Sequence, residues 1–173
     1  MIRTWFRFAV YFTVFVLLQV LVMNNIHLFN LVKPFIYIYV LLKLPVDMTR
    51  SAVILISFLL GLSVDLFSNT FGIHAAACSF AGFVRMPLLE RFADIKDLPG
   101  GSIPSCRLFG YGKFMRYAFV LTVIHHFTLF VVESFTFFQP LMMTVRMISA
   151  ILFSLLLIFI VEAFNPEKSK NGE

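Results

Sequence analysis

The sequence predicts an all-α fold, a polytopic bundle of about six membrane-crossing helices, and three observations carry that expectation. First, 60% of the 173 residues are hydrophobic and 13% are charged, with a mean hydropathy of +0.93. A soluble domain is about half apolar and about a quarter charged, so most of this surface must meet lipid rather than water. Second, the apolar residues fall into runs near the length of a membrane span, separated by short polar breaks. Third, Lys and Arg collect at alternate ends of those runs.

The first span is expected over residues 5–23, where "FRFAVYFTVFVLLQVLVM" carries one arginine and one glutamine. It is longer than a signal-peptide core and ends in Asn24 and Asn25 instead of a small-residue cleavage site, so it reads as a retained span. The second, residues 34–46, is short for the ~20-residue requirement, and lysines at both ends (Lys33, Lys43) would have to snorkel to extend it. The third, 50–67, and the fourth, 72–86, form a helical hairpin around the turn "SNT". The fifth covers 114–137 and the sixth 141–164, with Pro140 suited to a helix start. Residues 87–113 read as a solvated loop with a short interfacial helix at its start, and residues 165–173 as a tail.

An even number of spans puts both termini on one side. Arg3, Arg7, Lys43, Arg50, Arg85, Arg91, Lys96, Arg107, Lys113, Arg116, Lys168 and Lys170 share that side, while Lys33 alone marks the other, so both termini are expected in the cytoplasm. This placement accounts for the pI of about 9.5 without nucleic acid, because the basic residues sit at helix ends or among Glu90, Asp94 and Asp97. "GYGK" lacks the rest of a phosphate-binding loop. Cys78 lies inside the fourth span and Cys106 in the cytoplasmic loop, too far apart and in the wrong compartment for a structural disulfide, and neither sits near a histidine at ligand or nucleophile spacing, so no cofactor, metal or disulfide is expected.

The informative residues are the charges inside the spans. Asp65, Glu133 and Arg146 fall roughly 5 to 12 Å below the extracytoplasmic turns at 1.5 Å per residue, and His74 enters the same layer. A Glu133–Arg146 ion pair across the last two spans is expected, with Asp65 joining it. The bland alternatives are that the pair only fixes packing and that Asp65 only caps the "SNT" turn. Glu162 is expected to stay hydrated at the cytoplasmic interface. His125 and His126 read as packing histidines with one hydrogen bond each. Small residues recur at helical spacing as Ser57, Gly61 and Ser68 on one span and Ala75, Ser79 and Gly82 on the next, which predicts close approach of the hairpin helices.

The stretch "GLSVDLFSNTFGIHAAACSFAGFVR" resembles the signature region of the rod shape-determining MreD family, and "PFIYIYVLLKLP" is similar to that family's Pro-initiated early span. The matching positions are Pro34, Gly61, Asp65, Ser68, Gly72, His74 and Ala75. The long "PGGSIPSCRLFGYG" loop does not match the pattern. The resemblance implies a non-enzymatic component of the bacterial cell-elongation complex in the inner membrane. It would bind the single-span protein MreC and help couple MreB filaments to RodA and its transpeptidase partner, and a surface near the third and fourth spans is expected to receive the partner's transmembrane or juxtamembrane segment, with Asp65 and His74 specifying its register. It also implies a bundle like the substrate-binding subunits of energy-coupling-factor transporters. A vitamin-binding carrier is therefore the competing reading, with Asp65, His74, Glu133 and Arg146 lining a cavity. A membrane enzyme stands last, because pairs such as Asp65 with His74 are too generic to assign catalysis.

Overall fold

The computed structural model describes residues 2–23, 34–93, 95, 98–134 and 140–164. Residues 24–33 (with Asn24, Asn25 and Lys33), Asp94, Lys96, Asp97 and residues 135–139 and 165–173 lie outside the described residues. Helix α1 runs Ile2–Leu17 and continues as a π-helical turn over Leu18–Val22. It is followed by α2 (Ile38–Leu42), α3 (Arg50–Ser68), α4 (Ile73–Phe92), α5 (Cys106–Phe109), α6 (Tyr111–Ser134) and α7 (Pro140–Ala163), with no strand among the described residues. Among the described residues, three helices, Arg50–Ser68, Tyr111–Ser134 and Leu141–Ala163, are long and apolar enough to cross a membrane. The chain is a helical membrane protein.

The segment expected as the second span departs most from the sequence reading. Residues 34–46 hold only the five-residue α2, and every one of them is buried. This strap packs on α1, α4 and α6. A lipid-facing span needs ~20 residues of continuous helix, whereas backbone enclosed by protein can be short and irregular if its polar groups find partners. The two ends of the strap meet different parts of the bundle. Phe35 and Tyr37 reach Ser154 and His74, while Leu41, Lys43 and Leu44 reach Arg85, Pro104 and Glu162.

The α3–α4 hairpin follows from local rules. Thr49 caps α3 by accepting from the Ala52 amide at 3.4 Å. The helix ends at Asn69, whose φ of 54° is left-handed, and Gly72 at φ 79° redirects the chain into α4. The two helices touch through the small faces. A Cβ on Gly61 would overlap the His74 carbonyl and the Ala75 backbone, and one on Gly82 would overlap Ser57. Ser57 and Ser79 turn their hydroxyls back onto the Val53 and Ala75 carbonyls, at 2.6 and 2.7 Å, and Ser68 lies half-buried at the end of α3.

Pro87 lies inside α4 and lacks the N–H that would bond the Phe83 carbonyl. Arg50 donates to that carbonyl at 3.5 Å and stacks on the Phe83 ring, 4.5 Å from its centroid. Helix α4 therefore continues to Phe92, beyond the expected end at residue 86, and takes the place of a separate interfacial helix.

The expected solvated loop is in part a docked cover. The Ser102 carbonyl accepts from the Val46 amide at 3.0 Å, and the Gly101 amide donates to Asp47 at 2.9 Å. Pro104, Ser105 and Cys106 are buried. Ser105 caps α5, and Gly110 at φ 81° breaks α5 from α6.

Candidate functional site

Asp65 organises the hairpin. One carboxylate oxygen accepts from the Thr70 hydroxyl at 2.5 Å and the His74 amide at 3.1 Å, and the other from the Ala75 amide at 2.8 Å. Those amides belong to the first turn of α4, where helical N–H groups have no partner of their own and the helix dipole favours negative charge. The Asp65 carbonyl also accepts from Thr70 N at 3.1 Å. The cap is thus larger than the "SNT" turn alone: one buried carboxylate closes the turn and starts the next helix.

His74 passes the connection inward. Its Nδ1 lies 2.8 Å from the Tyr37 hydroxyl, which lies 2.9 Å from His125 Nε2. A hydroxyl donates one proton, so Tyr37 donates to one ring and accepts from the other. Cys78 Sγ is 3.8 Å from the same His125 nitrogen, whereas His125 Nδ1 has no hydrogen-bond partner among the described residues.

His126 has a fixed tautomer. Its Nδ1 is 2.8 Å from the Thr122 carbonyl, which can only accept, so Nδ1 carries the proton. Its Nε2 then accepts from the Ser154 hydroxyl at 3.2 Å, and Ser154 Oγ itself accepts from the Phe35 amide at 3.0 Å. The histidine makes two bonds, one more than expected, and ties α6 and α7 to the strap.

At the opposite end of the strap, Lys43 and Glu162 form an ion pair at 2.8 Å. Glu162 also accepts from the Tyr39 hydroxyl at 2.9 Å and the Cys106 amide at 2.7 Å, and Lys43 donates to the Pro104 carbonyl at 2.8 Å. The expectation of a hydrated Glu162 is therefore incorrect, because the docked 99–106 cover and the strap enclose it. Burial pushes the Cys106 thiol up to about 11, with the Glu162 carboxylate adding to the shift and the Lys43 ammonium opposing it. Arg85 is fully buried and donates to the Leu41 carbonyl at 3.0 Å and to the Leu44 carbonyl. Near the strap's start, Gln19 donates to the Pro34 carbonyl at 3.2 Å and accepts from the Ile36 amide at 2.9 Å.

A common logic emerges. The strap is too short and irregular to satisfy its own backbone, and at membrane depth water does not do so. Gln19, Arg85 and Ser154 supply the missing donors and acceptors. In the sequence, Lys43 and Arg85 look like markers of the cytoplasmic side, and nothing local singles out Gln19, Ser154, Tyr37 or Tyr39. The overlooked signal was a proline-bracketed segment too short to span, which demands polar partners from its neighbours.

The expected four-residue cluster is only half assembled. Asp65 and His74 come together, but Glu133 lies half-buried in the last turn of α6 and Arg146 is exposed on α7. The expected Glu133–Arg146 ion pair does not form, and neither residue joins Asp65. Beside them, Phe127, Phe130 and Ser134 of α6 and Met143, Thr144 and Met147 of α7 line an open groove of about 200 Å³. Among the described residues, no group of three or more His, Cys, Asp or Glu side chains is placed to hold a metal ion.

Comparison of the chain with protein-family models, curated proteins and solved structures found no match.

Proposed function

We propose that the chain is a non-enzymatic scaffold of the bacterial cell-elongation complex, of the MreD kind. In this reading it sits in the inner membrane, binds the single-span protein MreC, and helps couple MreB filaments to RodA and its transpeptidase partner. The observation that carries the proposal is the Gly61–Ala75 hairpin. Four of the residues on which the family resemblance rests there have a defined part: Gly61 admits the α4 backbone, Asp65 caps α4, Gly72 makes the left-handed turn, and His74 links the hairpin to the strap.

The polar side chains at membrane depth support a structural role over a transport or catalytic one. Asp65, Arg85, Lys43 and Glu162 are engaged with backbone or with one another, His74 is engaged with Tyr37, and together they hold irregular segments in place. Six passes with both termini cytoplasmic belong to the same proposal. The strap's two ends meet different parts of the bundle, Tyr37 reaching His74 at the start of α4 and Lys43 reaching Glu162 near the end of α7, which favours counting it as a pass through the protein interior.

Depletion of the protein in a rod-shaped host tests the proposal. Cells that widen and round support it, and isolation of the full chain in mild detergent should recover an MreC-like bitopic partner. Unchanged cell width together with lost uptake of a vitamin would overturn it in favour of the carrier.

A further inference from the structure

Arg146 is the only charged residue of α7 before Glu162. It lies six residues into the helix, about 9 Å along the axis from Pro140, and is exposed. Among the described residues it has no hydrogen bond or ion pair, and Glu133, the carboxylate nearest to it by sequence, does not reach it. An unpaired cation on a lipid-facing helix is costly, so such residues normally meet a partner. The groove between α6 and α7 provides a place for one, since Arg146 is the i+3 neighbour of the groove residue Met143. Its lining of two phenylalanines, a valine and two methionines adapts to an apolar side chain, and Ser134 and Thr144 add polar groups to it. Its volume, about 200 Å³, suits a single large side chain.

We infer that the α6–α7 groove and Arg146 form the docking surface for a transmembrane helix of a partner protein. That helix inserts one large apolar residue into the groove and presents a carboxylate to Arg146. The inference rests on the scaffold reading and moves the partner contact from Asp65 and His74, which the bundle uses internally, to α7. Charge complementarity favours an acidic helix over lipid, because a headgroup would pair with Arg146 from above yet leave the groove to disordered acyl chains.

The test uses the full chain with the MreC-like partner in native membranes. Wild type and Arg146→Lys should co-isolate the partner, while Arg146→Leu and Arg146→Glu should recover it about tenfold less at equal accumulation, as expected for loss of a desolvated charge contact. A photo-cross-linking residue at Thr144 should capture the partner's span, and one at Leu59 on α3 should not. Recovery undiminished by Arg146→Leu, or capture at Leu59 alone, overturns the inference and leaves the scaffold reading standing. Failure of wild type to recover any such partner overturns both. If Arg146→Leu lowers the thermal stability of the isolated protein in nanodiscs only when phosphatidylglycerol is present, the arginine serves a lipid phosphate and the inference falls.

Discussion

Lys43 of the central strap and Glu162 near the end of α7 form a 2.8 Å ion pair whose side chains are 2% and 3% exposed. Replacing either partner leaves the other charge buried, which costs about 3–5 kcal/mol. Lys43→Met and Glu162→Leu should each lower thermal stability sharply in nanodiscs, and the double variant should recover most of the loss. Additive losses would show that the two residues act independently.

Asp65 makes a second, separable prediction. Asp65→Leu removes the acceptor for the Thr70 hydroxyl and two α4 amides, and bonds to a charged group contribute about 1.5–3 kcal/mol each. Loss of accumulation is expected. Asp65→Asn, which keeps one carbonyl oxygen, should be intermediate. Normal accumulation of Asp65→Leu with loss of partner binding alone would return this residue to the docking role first expected of it.

The glycines separate close approach from open space. Gly61→Ala drives a methyl into the α4 backbone, and overpacking of this kind costs about 1–3 kcal/mol or more. Gly112→Ala meets nothing within 4 Å near the start of α6 and should stabilise by up to about 1 kcal/mol through helix propensity. Melting temperatures of the two variants should move in opposite directions.

Pro87 and Arg50 are coupled through one carbonyl. Pro87→Ala restores the helical donor to Phe83, after which Arg50→Ala should be tolerated better than in the parent chain. A double-mutant cycle that shows no interaction between them would contradict this.

The hairpin was legible because its signals are local. Small residues at helical spacing, a turn of Ser68, Asn69 and Thr70, and a lone aspartate all act within a few residues of one another. The strap was not legible, because its stability comes from groups distant in sequence: Gln19 on α1, Arg85 on α4, Ser154 and Glu162 on α7. Lys43 and Arg85 misled for a physical reason. A basic residue at the end of an apolar run has the same sequence pattern whether it snorkels to lipid headgroups or turns inward to cap carbonyls. Glu133 and Arg146 were paired on depth alone, and depth does not determine the direction a side chain takes around its helix.

The central claim is that a short irregular segment lies dry inside a membrane bundle and is satisfied by protein instead of water or ligand. Amide hydrogen exchange of residues 34–46 in nanodiscs tests it most directly. Protection should match that of α3 and α4, with exchange taking hours and opening only with the whole bundle. Exchange within seconds while α3 and α4 stay protected would instead show a solvent-lined cavity along the strap, so that its backbone is satisfied by water.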